Sequence, residues 1–302
     1  MDIRQLQIFR SVAQQLNFSK AAEELFIAQP AISIAIKKLE TELDTPLFNR
    51  TSKKVSLTPE GKALLNHANT ILKQVADAKT EMHSLRGLER GEVRIAMPAM
   101  LGAYHFPALF DHFMRQHPSL QIYVEEEGTR QIEQHLLDGS IDLGVVIMEQ
   151  APETLEVHPL INEEMVVCTS PSHRFAKRDK INAEEFFEEN LILIKQGYFL
   201  RETIDRLSLQ LQKTPKIIFE TNLMLLIKRL VLSGKGISTC LQFVLNEETE
   251  LKGISFDPPI FLPMGLAWKK GHYLSAANRA IVDFLLKPSY QEAESGLTPP
   301  PK

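Results

Sequence analysis

Asn17-Phe18-Ser19-Lys20-Ala21-Ala22-Glu23-Glu24-Leu25-Phe26-Ile27-Ala28-Gln29-Pro30-Ala31-Ile32-Ser33-Ile34-Ala35-Ile36-Lys37-Lys38-Leu39 is the stretch whose reading decides the fold. Before it, Leu6, Phe9, Val12, Ala13 and Leu16 recur at helical spacing, and Asn17-Phe18 breaks that helix. Ser19 suits the N-cap of a short helix from Lys20 to Phe26. After a break at Ile27-Ala28, Pro30 fits the first turn of a third helix, where a missing N–H costs little. Ile32, Ala35, Ile36, Leu39 and Leu43 form its buried stripe. Helix, short turn, helix is the outline of a helix-turn-helix unit. Downstream, the basic loop Asn49-Arg50-Thr51-Ser52-Lys53-Lys54 lies between Leu47-Phe48 and Val55-Ser56-Leu57, and reads as a β-hairpin wing.

Opposite the buried stripe, Gln29, Ser33 and Lys37 are spaced by four and share a face. Gln pairs with adenine N6 and N7 in a major groove, and Ser donates to base or phosphate. Lys37, Lys38, Arg50, Lys53 and Lys54 are placed to neutralise phosphates. Charge follows the same division. Residues 1–86 hold 12 Lys+Arg and 9 Asp+Glu, a balance of +3, against 22 and 29, or −7, over residues 87–302. A polyanion-binding head on an acidic body is the expectation.

Thr58-Pro59-Glu60-Gly61 opens another helix, with Thr at the cap and Pro at the first position. Its apolar positions Leu64, Ala68, Ile71, Val75, Ala78, Met82 and Leu85 advance by alternating steps of four and three, a heptad seam. With no evident core for a lone helix, the seam predicts dimerisation against a second copy; an amphipathic helix lying on its own domain is the alternative.

From Glu92 strands and helices alternate. Val93 to Ala96, Leu120 to Glu125 and Ile141 to Ile147 read as strands, with helices at Gly102 to Gln116 and Gln131 to Leu137 between them, which predicts a parallel sheet covered by helices. A second series has strands at Met165 to Thr169, Leu191 to Ile194, Ile217 to Phe219 and Gly236 to Thr239, and helices at Phe199 to Leu211 and Leu223 to Ser233. Gly265 to Trp268 is a further strand and Ser275 to Leu286 the last helix, and residues 289–302 read as a disordered tail. No apolar run is long enough for a membrane span and the N-terminus lacks signal-peptide order, so a cytoplasmic, nucleoid-associated protein is expected. The 9 His show no metal-ligand spacing, no dinucleotide fingerprint or Gly-x-Ser-x-Gly elbow occurs, and neither enzyme chemistry nor a cofactor is expected. Cys168 and Cys240 read as buried structural thiols, with a redox-sensing pair as the alternative.

Five pieces carry a family resemblance: Phe18 to Leu25, Gln29 to Ser33, Ile36 to Glu40, Pro46 to Arg50 and Leu57 to Gly61. Their order and spacing resemble the LysR-type transcriptional regulators. Gly128-Thr129, Gly139-Ser140-Ile141-Asp142-Leu143-Gly144 and Gly234-Lys235-Gly236-Ile237 extend the resemblance to about residue 288. It implies an α+β multi-domain chain: a winged helix-turn-helix over 1–57, a linker helix over 58–87, and a two-lobed effector domain like a periplasmic binding protein over 88–288. Lobe I then takes about 92–161 plus 266–288, and lobe II about 162–265. The implied partners are promoter DNA, a small-molecule effector, RNA polymerase, and other copies of the chain in a homotetramer built as a dimer of dimers. Gln29, Pro30, Ser33, Ile34 and Lys37 fall on the recognition helix, and Arg50, Lys53 and Lys54 in the wing.

Two departures matter. Ala28 stands where the family often has a capping Ser, and Ile34 where it often has Arg. Ile contacts a thymine methyl but cannot read guanine, so few guanine contacts are expected from this helix. The effector is expected between the lobes, where strand ends face each other. Candidates are Pro98, Ala99, Met100, Leu101, Thr129, Ile147, Gly197, Tyr198, Phe199 and Arg201. Pro98 and Met100 replace the hydroxyl residues of many relatives, which points to an effector with an apolar or aromatic body. A cytoplasmic α/β small-molecule-binding protein is the rival reading.

Overall fold

Asp2 opens the chain by accepting the backbone N–H of Gln5 at 2.8 Å, and Gln5 returns the bond to the N–H of Asp2. This capping box starts α1 (Ile3–Gln15). The computed structural model describes residues 1–51, 54–84 and 91–287. They form two compact units, a head ending with the fourth helix and a body beginning at the third strand.

In the head, α2 (Phe18–Glu24) and α3 (Gln29–Glu42) follow α1. Asn17, rather than Ser19, caps α2: its side chain accepts the N–H groups of Ser19 and Lys20. Both residue types suit an N-cap, and the chain uses the one at the break itself. Ala28 offers no side-chain cap to α3, so Pro30 in its first turn removes one of the N–H groups that would need a partner. β1 (Phe48–Thr51) and β2 (Lys54–Leu57) pair antiparallel from Phe48–Leu57 to Thr51–Lys54. Phe48 carries the hairpin into the head, its ring 5.4 Å from Phe9 and 5.7 Å from Phe18. Glu40 ties the same segment to α3 by accepting the backbone N–H of Leu47 at 2.9 Å and of Phe48 at 3.3 Å.

Thr58 caps α4 (Pro59–Ser84), accepting the N–H of Gly61 at 2.9 Å. The helix has a core that the heptad spacing did not reveal. Ala68 is 0 % exposed and Leu72 is buried among Leu6, Phe9, Val12 and Ile32, with Leu64, Leu65 and Ile71 packed against them. Ala68 therefore has no surface left for a second chain: the first turns of the seam fill the head's own interior. Val75 is half-buried, and Ala78 and Met82 are exposed. Leu85 lies outside the described residues.

The body runs β3 (Gly91–Met97), a π-helical turn (Leu101–His105) leading into α5 (Phe106–Gln116), β4 (Leu120–Glu126), α6 (Thr129–Asp138) and β5 (Leu143–Ile147). β3 pairs parallel with β4 on one side and β5 on the other. β6 (Leu155–Thr169), β7 (Lys180–Ile181), α7 (Ala183–Phe187) and β8 (Asn190–Leu193) come next. α8 (Phe199–Leu211), β9 (Lys216–Glu220), α9 (Met224–Leu232), β10 (Ser238–Leu241), α10 (Val244–Glu247), β11 (Lys252–Lys269) and α11 (Ala276–Leu285) complete it. The expected parallel pairing holds for β3, β4 and β5, and for β8 with β9. β6 and β11 are far longer than the short strands expected and run antiparallel, from Leu155–Lys269 to Thr169–Lys252. At one end β5 joins β11, and at the other β10 joins β6, both antiparallel. The two lobes are thus strung on one shared ribbon.

Gly61 shows how closely α4 sits on the head. A Cβ there would lie 2.1 Å from the carbonyl oxygen of Leu47. Gly61→Ala is expected to destabilise the head by about 1–3 kcal/mol through this overlap, seen as a lower midpoint in chemical denaturation. An unchanged midpoint would contradict the close approach.

Candidate functional site

α3 buries Ile32, Ile36 and Leu39, which turns Gln29, Pro30, Ile34 and Lys37 to solvent, with Ser33 half-buried beside them. The Gln29 amide Nε2 donates to Ser33 Oγ at 3.0 Å. That bond fixes the amide on the open flank while leaving its oxygen and second N–H free to meet a base edge. Ile34 is 68 % exposed, and Phe26, in the turn before α3, is 94 % exposed at φ 53°. Arg50 and Lys54 are described only by their backbone, on facing strands of the hairpin, and Lys53 lies outside the described residues.

The body carries a cleft of about 320 Å³, a volume that includes open solvent at its mouth. Pro98, Ala99 and Met100, between β3 and the π-helical turn, form one wall. Tyr198, Phe199 and Leu200 at the start of α8 form the other, with Ile194 and Asn222. Five of the expected residues therefore meet here: Pro98, Ala99, Met100, Tyr198 and Phe199. The others do not line it. Leu101 is fully buried in the core, and Ile147 is buried at the end of β5. Thr129 is buried at the start of α6, and its Oγ1 has no partner among the described residues. Gly197 is in contact with Gly128 instead: a Cβ on Gly128 would lie 2.4 Å from the Gly197 carbonyl oxygen. Ile194, Leu200 and Asn222 were not foreseen.

Arg201, expected at the effector site, does not line the cleft. Its guanidinium is 6 % exposed and is taken up inside the protein. Nε donates to Asp205 at 2.8 Å, and Nη1 to the Ile194 carbonyl at 3.2 Å and to Glu220. Two carboxylates thus neutralise the cation. The cleft's own polar groups are also engaged. Tyr198 donates its hydroxyl proton to Glu126 at 2.6 Å, and Asn222 accepts the N–H of Lys195 at 3.1 Å. Burial and the charges of Glu126 and Glu127 hold the Tyr198 phenol well above its usual range. The exposed Lys195 side chain is not part of either wall. What remains is apolar surface and the first N–H groups of α8, which lack a side-chain cap. A helix N-terminus favours an anion by about 0.3–2 kcal/mol. Leaving a buried charge without a partner costs several kcal/mol, which is larger.

Further side-chain contacts tie segments of the body together. Arg130 on α6 donates to Glu202 on α8 at 2.5 Å. Tyr104 donates to Glu248 at 2.7 Å, and Lys228 bridges Glu248 at 2.7 Å and Glu250 at 2.5 Å. His105 packs beside Phe243, ring centroids 5.8 Å apart, and burial pushes its pKa down to about 4.

Cys168 and Cys240 are free, fully buried and on neighbouring strands, offset by two positions in register. The neighbouring Cys168 thiol, then burial, push the Cys240 thiol well up. A thiol so held is a poor source of the thiolate that oxidation requires. Among the described residues no cluster of three His, Cys, Asp or Glu could hold a metal, and no helix is long and apolar enough to cross a membrane.

Residues 3–62 match the bacterial regulatory helix-turn-helix protein, lysR family, and residues 86–288 match the LysR substrate binding domain. The chain belongs to the LysR family of transcriptional regulators. It is a DNA-binding regulator with an effector-binding domain, and not an enzyme. A probable RuBisCO transcriptional regulator of Trieres chinensis is 33 % identical over 260 residues, covering 83 % of this chain and 84 % of that protein. The HTH-type transcriptional regulator YwbI of Bacillus subtilis (strain 168) is 30 % identical over 283 residues, covering 93 % and 94 %. Among solved structures, a full-length OxyR variant from Pseudomonas aeruginosa has a TM-score of 0.73 at 22 % identity, covering 99 % of both chains. Full-length CbnR complexed with target DNA has a TM-score of 0.66 at 19 % identity, covering 97 % of this chain and 99 % of that one. The effector binding domain of QuiR with shikimate has a TM-score of 0.59 at 25 % identity, covering 68 % and 99 %.

The burial of His105 predicts an acid-sensitive fold. It stays neutral when folded, whereas the unfolded chain takes up a proton near the ordinary value of 6.5. The associated stability is complete above pH 6.5 and is lost as the pH falls toward about 4. The shift corresponds to roughly 3 kcal/mol at the acid end. Melting temperature measured against pH should fall less steeply over this window in His105→Phe than in the parent protein.

Proposed function

We propose that this regulator reads promoter DNA in the major groove with the flank of α3 formed by Gln29, Pro30, Ser33, Ile34 and Lys37. The observation that carries the reading is the sidedness of α3: one face is buried in the head and the other is open, with Gln29 already oriented by Ser33. Gln29 addresses an adenine, Ile34 a thymine methyl, and Lys37 a phosphate. Arg50, Lys53 and Lys54 of the wing add phosphate contacts that fix register without reading sequence. The family description of residues 3–62 supports this use of the helix.

Two copies pair through the outer half of α4, at Val75, Ala78 and Met82, and dimers associate into tetramers. A small molecule bound at Pro98–Met100 and Tyr198–Leu200 regulates the assembly. It does so by binding one arrangement of the chains more tightly than another, because a ligand with equal affinity for both would shift nothing.

Binding measured by fluorescence anisotropy, on operator and on random duplex, tests the first part. Gln29→Ala should lose about tenfold or more on operator and little on random DNA, the scale of one good base contact. Lys37→Ala should weaken both alike and reduce the salt slope by about one. Equal losses on both duplexes for Gln29→Ala would overturn its base-reading role. In analytical ultracentrifugation, Met82→Glu should shift the chain toward smaller species; an unchanged distribution would rule out the outer half of α4 as the pairing surface.

A further inference from the structure

We infer that the cleft selects an uncharged, largely apolar small molecule and rejects carboxylates and phosphates of the same size. This rests on reading the cleft as the effector site. Among the described residues, the walls are Pro98, Ala99, Met100, Ile194, Phe199 and Leu200, with polar groups at Tyr198 and Asn222. No charged side chain among the described residues lines them. The buried Arg201 of α8 is held by Asp205 and Glu220 together, so it has no charge left over for a guest. Arg130, exposed and paired with Glu202, does not line the cleft. Glu126 accepts the hydrogen bond of the Tyr198 hydroxyl, so an anion approaching that hydroxyl meets a carboxylate rather than a cation.

The uncapped first turn of α8 still offers backbone N–H groups. These suit the carbonyl of an amide or ketone as well as a carboxylate, and a neutral acceptor does not bring the desolvation penalty of an ion. The guest so described has a compact hydrocarbon or aromatic body and one neutral hydrogen-bond acceptor.

Benzamide and benzoate have nearly the same shape and differ in charge, which makes them the probes. The melting temperature of the full chain is measured against each, and against shikimate. Benzamide should raise it in proportion to the logarithm of its concentration, while benzoate and shikimate leave it in place. Ala99→Lys sets a cation on the wall and should reverse the order, favouring benzoate. Benzoate or shikimate stabilising the parent protein as much as benzamide would overturn the inference, and so would no response to any of the three. The cleft assignment fails separately: benzamide would then stabilise the parent and Ala99→Lys equally. DNA binding is read in its own assay and stands or falls apart from both.

Discussion

The antiparallel pairing of β6 with β11 is the constraint on which the body depends. These are its two longest strands, and each serves both lobes. Through β11 the ribbon holds β5, and with it β3 and β4; through β6 it holds β10. Backbone groups in the buried parts of these strands must find partners, so neither lobe can shed the ribbon without stranding them. The cleft walls come from segments that follow strand ends in each lobe, Pro98–Met100 after β3 and Asn222 after β9. Side-chain contacts also link these parts of the body, Tyr198 with Glu126 and Arg130 with Glu202.

The head solves a different problem. α3 keeps one face exposed, yet a helix of 14 residues has little stability by itself. Ile32, Ile36 and Leu39 anchor it below, and Glu40 fastens it to the hairpin through two backbone N–H groups. The exposed flank can therefore be chosen for what it contacts rather than for what it stabilises. Leaving Ile34 in water is tolerable because the core beneath it is complete.

Much of this was readable in the residues, and the exceptions have physical reasons. α8 was expected at its observed limits, because its apolar spacing is regular. The long strands were cut short because Pro159, Pro258, Pro259 and Pro263 interrupt their apolar pattern, and a β-bulge or irregularity between Ser255 and Ile260 absorbs part of the cost. The heptad in α4 was visible, but spacing cannot say whether a knob enters its own core or a partner's. Arg201 looked like a ligand because its charge was counted without its neighbours. Asp205, four residues on, was available as a hint, whereas Glu220 arrives only through the fold. Asn222 belongs to no periodic pattern, and its position after a strand end was the sole signal.

The burial of Ala68 and Leu72 has a mechanical consequence. The inner turns of α4 are keyed into the head, so the outer turns cannot rotate about the helix axis unless the head rotates with them. Successive residues on a helix differ by about 100° in azimuth. Helical phase is thereby a transmitted quantity: turning the outer half of α4 by one residue position would swing the exposed flank of α3 through about that angle.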